Sequence, residues 1–188
     1  MSGPVFLTGE AVDLRTFEEE DVAFVRDTVN DARVWRTLGG QVTPTNLATE
    51  RRFYEQDARD DGTVKFVVTE RTDDPGAGAD EVVRVGMVEL NGIEWDRARA
   101  EVAFWIAPEH QSAGYGRDAL ETLVAYAFEQ LGLHKLSAEA FATNEPSTRL
   151  LESLGFEREG TLREEEYVDG GWVDVVRYGL LAGERDGT

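Results

Sequence analysis

The six residues Gln111-Ser112-Ala113-Gly114-Tyr115-Gly116 could bind an anion without any cationic side chain. Glycines at 114 and 116 let the backbone turn its N–H groups inward and approach a ligand closely. A helix starting just beyond would add unpaired amides and the positive end of its dipole. Such a cradle suits a diphosphate. It is not a Walker P-loop, since no Gly-Lys-Ser/Thr follows, and it is not GxGxxG. By itself, a glycine-rich strand-to-helix turn is more often structural than functional.

Other groups could do chemistry nearby in sequence. Asn144 precedes Glu145-Pro146, with Ser147 three residues on. That spacing makes Asn144 a good N-cap with Ser147 at N3, and a capping pair needs no chemistry. Glu101 lies on a β-like run and shares a face with Trp105. Glu164, Glu165 and Glu166 are consecutive, so strand alternation presents one or two of them to any one face. With 38 acidic residues in the chain, a given glutamate is by default solvated surface. There is no cysteine, which excludes a disulfide scaffold, a Cys-ligated metal and a Cys nucleophile. His110 and His134 are the two histidines and leave little room for a His-rich metal site. No Gly-x-Ser-x-Gly elbow is present, which disfavours a Ser–His–Asp hydrolase.

The chain of 188 residues is long enough for one sizeable core, and we read residues 1–188 as a single domain. Its formal charge of −19 repels nucleic acid and anionic membranes. Lys65 and Lys135 are the only lysines; all other basic residues are arginine. Strong acidity with little lysine points to adaptation to concentrated salt, where the Debye length shrinks to about 3 Å. A merely acidic protein of ordinary salt is the alternative. Met1 to Glu10 lacks a basic segment followed by an apolar stretch, and no run approaches a membrane span, so a cytoplasmic protein is expected.

These residues need elements to position them. Val12–Thr16 reads as a strand, Glu18–Asn30 as a helix with acidic residues at its start, and Thr45–Arg59 as a weaker helix. Val64–Arg71 and Val82–Leu90 read as hairpin arms around a surface loop, Thr72–Glu81. A strand at Arg99–Ala107 is followed by an amphipathic helix at Arg117–Leu131, with Leu120, Leu123, Val124, Ala127, Phe128 and Leu131 on one stripe. Then come a strand at His134–Ala142, a short helix at Asn144–Leu154, and a hairpin of Thr161–Val168 and Trp172–Leu181 across Asp169-Gly170-Gly171. Gly183–Thr188 is expected to fray. The order implies a mixed α/β domain.

The loop at 111–116 after AEVAFWI (100–106), together with Asn144-x-x-Ser147, Gly155-Phe156 and Asp169-Gly170-x-Trp172, resembles the GCN5-related N-acetyltransferase (GNAT) superfamily. Within it, the pattern is most similar to the branch acetylating ribosomal-protein N-termini (RimJ/RimL-like). The resemblance spans roughly Leu14 to Leu181. It implies a central, mostly antiparallel sheet of six to seven strands, splayed at the cofactor site and flanked by about four helices. It also implies acetyl-CoA as donor and an amine as acceptor, with no metal.

Carried onto this sequence, the resemblance seats the CoA diphosphate on Gln111, Ser112, Ala113, Gly114, Tyr115, Gly116 and Arg117. The pantetheine would run along Phe104 and Ile106, between the strands at Arg99–Ala107 and His134–Ala142. Asn144 would bond the CoA arm, and Ser147 would face the thioester sulfur, as an acid or only as a positioning group. No tyrosine occupies that helix, although the family often uses one as the acid. Glu166 matches a glutamate proposed as base in the ribosomal-protein branch, and Glu101 is the other candidate. A backbone N–H near Phe104 to Ala107 would meet the oxyanion. His110 could touch a phosphate or be an ordinary strand-end residue; Trp35 and Trp172 could wall the acceptor cleft or belong to the core. The acceptor is expected to be the N-terminal amine of a ribosomal or other basic protein. The alternatives are a small-molecule amine (amino sugar, amino acid, polyamine or antibiotic) and a non-catalytic acyl-CoA sensor. Asp31–Ala48 and the last hairpin would shape that acceptor, and either a monomer or a homodimer is compatible.

Overall fold

Alternating apolar positions decide the layout. In the strands, Val12 and Leu14, Phe66 and Val68, Val88 and Leu90, and Leu136, Ala138 and Ala140 are spaced by two and buried on one face. In a computed structural model, which describes residues 2–39, 43–57, 59–71 and 82–187, these runs form one sheet. Its strands are β1 (Val5–Thr8), β2 (Val12–Thr16), β3 (Val64–Glu70), β4 (Arg84–Glu94), β5 (Arg99–Ile106), β6 (Lys135–Phe141), β7 (Glu157–Val168) and β8 (Gly171–Leu181). The spatial order is β1-β2-β3-β4-β5-β6-β8-β7. All neighbours are antiparallel except β5 and β6, which are parallel because a helix crosses over between them.

The helices are α1 (Val22–Val29), α2 (Ala32–Leu38), α3 (Leu47–Asp57), α4 (Tyr115–Glu129) and α5 (Glu145–Ser153). The α4 stripe of Ala119, Leu120, Leu123, Val124 and Ala127 is fully or nearly fully buried on the face that also takes Leu151 of α5. Each leucine so buried stabilises the fold by about 1.5–3 kcal/mol. The opposite face packs Met87 and Trp105 against Phe24, Val25 and Val29 of α1 and Leu38 of α2. No residue of α3 is buried.

The mixed α/β expectation holds, with differences. The sheet has eight strands and five helices stand beside it. β1 and α2 are the additions: β1 is a four-residue edge strand with Val5 and Phe6 exposed, and α2 buries only Val34, so neither shows a full amphipathic period. The Glu18–Asn30 segment divides into a 3-10 turn at Glu19–Asp21 and then α1. Against the expected fraying over Gly183–Thr188, Ala182–Gly187 forms a 3-10 segment held by an Arg185–Glu129 ion pair of 2.5 Å. The expected loop Thr72–Glu81 lies outside the described residues.

Candidate active site

β5 and β6 start as partners and then part. Their register runs from Arg99↔Lys135 to Val102↔Ala138 and stops there, although β5 continues to Ile106 and β6 to Phe141. Residues 103–106 of β5 keep only their β4 neighbours, so the edge turned towards β6 has backbone groups free for a ligand. A cleft of about 1110 Å³ opens at this splay. Alternation along β5 puts Phe104 and Ile106 on the α4/α5 side of the cleft, and Glu101, Ala103 and Trp105 on the α1–α3 side. The cleft therefore runs through the sheet.

On the α4 side the loop takes the form its glycines require. Gly114 adopts φ +87°, a left-handed conformation, and serves as N-cap of α4. Ser112 is also left-handed, at φ +65°. The Gln111 side-chain amide donates to the Ile106 carbonyl at 3.0 Å, which ties the loop to the end of β5. α4 begins at Tyr115, two residues earlier than expected, so the amides of Tyr115 and Gly116 fall in its first turn without an i−4 carbonyl. The Arg117 and Asp118 amides donate instead to the Gly114 carbonyl. A Cβ on Gly116 would meet Ile106 at 3.4 Å and Leu150 at 3.6 Å, so glycine keeps this wall low.

Of the sequence candidates, Glu101, Phe104, Ile106, Gln111, Ser112, Gly114, Gly116, Arg117, Asn144, Ser147 and Glu166 line this one cleft, and His110 joins them. Ala113 and Tyr115 do not line it. The Tyr115 hydroxyl donates to Glu70 at 2.8 Å, on β3. The Arg117 side chain pairs with Glu121 at 2.9 Å and donates to the Ser153 hydroxyl at 2.8 Å, so it joins α4 to α5. Asn144 is the N-cap of α5, accepting the Ser147 N–H at 3.3 Å. Trp172 is 62% exposed against Tyr167, and Trp35 is half-buried under Arg36; neither lines the cleft.

The acidic triplet is resolved by a bulge. The β7–β8 register slips between Leu162 and Glu166, with Glu164 left-handed at φ +51° and its N–H donating to Asp174. Only Glu166 of the three lines the cleft, near the end of α2, where a Cβ on Gly39 would meet Phe141 at 3.5 Å and the Glu166 carboxylate at 4.0 Å. Partial burial and the neighbouring Glu139 carboxylate push the Glu101 carboxyl above its ordinary range, with Arg177 pulling the other way. Water still reaches Glu101.

Sequence reasoning missed the rest of the acidic lining: Glu50, Asp57, Glu89 and Glu139. Asp57 and Glu89 pair with Lys65, and Glu139 pairs with Arg177. Among the described residues Glu50, Glu101 and Glu166 have no ion-pair partner. Only the scarcity of lysine in the composition could have drawn attention to Lys65. Among the described residues no three His, Asp or Glu gather in a way that would hold a metal, and no helix is long and apolar enough to cross a membrane.

Residues 12–157 match the Acetyltransferase (GNAT) domain family. The chain belongs to that family. It is an N-acetyltransferase domain with acetyl-CoA as co-substrate. Its relatives include the uncharacterized N-acetyltransferase p20 of Bacillus licheniformis, 28% identical over 183 residues, or 95% of this chain and 97% of that one. The spermidine N(1)-acetyltransferase of Vibrio cholerae is 28% identical over 168 residues, 89% of this chain and 91% of that one. The crystal structure of the Vibrio cholerae spermidine N-acetyltransferase in complex with CoA and spermine superposes with a TM-score of 0.84 at 27% identity, covering 93% of this chain and 98% of that chain. The putative ribosomal N-acetyltransferase YdaF of Bacillus subtilis is 37% identical over 102 residues, 54% of this chain and 56% of that one.

Proposed function

We propose that this GNAT domain acetylates a small cationic amine of the polyamine class. One observation carries the reading: the cleft through the splay has the glycine loop on one side and three carboxylates without cation partners, Glu50, Glu101 and Glu166, on the other. A tunnel with that charge draws in an amine carrying several positive charges and gives a thioester access from the far side. The polyamine names of the relatives point the same way.

In this reading the loop and first-turn amides at 112–116 hold the CoA diphosphate, and Asn144 bonds the pantetheine arm while it caps α5. One acceptor nitrogen, deprotonated by Glu101 or Glu166 directly or through a water, attacks the thioester carbonyl. A free backbone N–H of residues 103–106 receives the oxyanion. Collapse breaks the C–S bond; the departing thiolate takes the Ser147 proton while Ser147 regains one from the acetylated nitrogen through water, or Ser147 only holds the sulfur and that proton passes to solvent. Remaining cationic nitrogens of the acceptor rest against the other carboxylates.

The test is thiol release from acetyl-CoA with spermidine, spermine, amino sugars, amino acids and basic N-terminal peptides in parallel. Release with the polyamines, with a KM that rises as KCl is added, is the expected result. Release only with peptides restores the N-terminal acceptor, and CoA binding without release for any amine makes the domain a sensor.

A further inference from the structure

Lys65 is one of two lysines in a chain that otherwise uses arginine, and its ammonium stands inside the acceptor side of the cleft. It lies 2.8 Å from the Asp57 carboxylate of α3 and 3.2 Å from the Glu89 carboxylate of β4. The three side chains are only 21%, 28% and 16% exposed, so solvent screens them little. Burial presses the Lys65 ammonium towards neutrality, but Glu89 and Asp57 outweigh it and leave its pKa raised. Chemically the Lys65 side chain is a butylammonium, the same four-carbon stem and primary ammonium that end a polyamine.

Building on the polyamine reading, we propose that Lys65 is a resident substitute for one acceptor ammonium. It fills the Asp57–Glu89 pair and thereby limits how many charges an acceptor can bring into the cleft. Lys65 is a specificity-determining residue in this account. Occupying both carboxylates and cancelling one of their two charges leaves Glu50, Glu101 and Glu166 to serve the acceptor, so short amines are favoured over the longest and most charged ones.

Two substitutions break the Lys65–Asp57 ion pair that joins β3 to α3, and together they separate this from a simple latch holding α3. Lys65→Met empties the carboxylate pair, and the ratio of kcat/KM for spermine over that for butylamine should rise by roughly five- to tenfold. Asp57→Asn leaves Lys65 paired with Glu89 alone and removes the surplus negative charge of the cluster, and the same ratio should fall by a similar factor. Lys65→Arg, which keeps the charge, should return the ratio close to that of the parent protein. Calorimetric spermine binding, read beside turnover, should tighten in Lys65→Met and weaken in Asp57→Asn. A latch moves both variants the same way, so shifts of one sign, or no shift, overturn the role of Lys65 while polyamine acetylation stands. A parent protein that releases no thiol with any amine overturns the acceptor class and this inference together.

Discussion

The Asn144 side-chain carbonyl accepts the Ser147 backbone N–H at 3.3 Å, and both residues face the cleft where β5 leaves β6. One residue thus fixes the start of α5, and the start of α5 fixes the direction of the Ser147 hydroxyl. Local capping and placement of the Ser147 side chain are the same interaction.

If Ser147 protonates the leaving thiolate, Ser147→Ala should lower kcat by roughly 10²-fold, the low end for general acid catalysis. CoA affinity, measured by calorimetry, should change little, because the hydroxyl is not needed to hold the diphosphate. An unchanged kcat would reduce Ser147 to a helix residue.

The raised Glu101 carboxyl gives a pH signature. A base must be ionised to act, so kcat/KM should climb with pH through a value above the ordinary carboxylate range. Glu101→Gln should remove that limb and roughly 10²-fold of the rate; if the limb survives there but vanishes in Glu166→Gln, the base is Glu166. Arg177 lowers the Glu101 pKa, so Arg177→Gln should carry the limb to still higher pH. The sign for folding is opposite. A carboxyl raised by the fold favours its protonated form, and the associated stability fades as pH climbs through the raised value. Glu101→Gln should therefore raise Tm at neutral pH, by differential scanning calorimetry, while it slows the reaction.

At Gly114 the left-handed φ of +87° would burden any β-carbon by about 1–2 kcal/mol. Gly114→Ala should weaken CoA binding by about tenfold if the loop relaxes out of shape, or lower Tm if it does not. A variant unchanged in both would mean that the loop does not need this conformation.

Far from the cleft, the Asp118 carboxylate in the first turn of α4 accepts the amides of Glu10, Ala11 and Val12 at 2.8 to 2.9 Å. Gly9 lies so close that a Cβ there would sit 2.6 Å from a carboxylate oxygen. Asp118→Ala should cost about 2–4 kcal/mol in denaturant titrations, since charge-assisted bonds are the strong ones. Gly9→Ala should cost a similar amount by pushing the carboxylate away. A loss under about 0.5 kcal/mol in either, the scale of a neutral surface change, would show that the turn is held otherwise.

Much of this was legible in the residues, and the limits have physical causes. The α4 stripe and the paired alternations of β5, β6 and β8 reflect burial against one core, which periodicity records directly. Phe104, Ile106 and the loop at 111–116 could be placed because a strand, a turn and a helix follow one another in the chain. The acidic triplet was not decidable, because a bulge at Arg163–Glu165 breaks the rule of two that alternation relies on. The Lys65 pairs and the Asp118 anchor join residues on different elements, and no local pattern announces them. α2 offered only its cap, Asp31, whose side chain accepts the Arg33 N–H.

α3 supplies Glu50, Phe53 and Asp57 to the cleft and yet buries no side chain. Its surface can be rewritten with little penalty in folding free energy, whereas the α4 side cannot change without disturbing the interior. Divergence on that side of the cleft can therefore accumulate along one helix while the α4 side stays as it is.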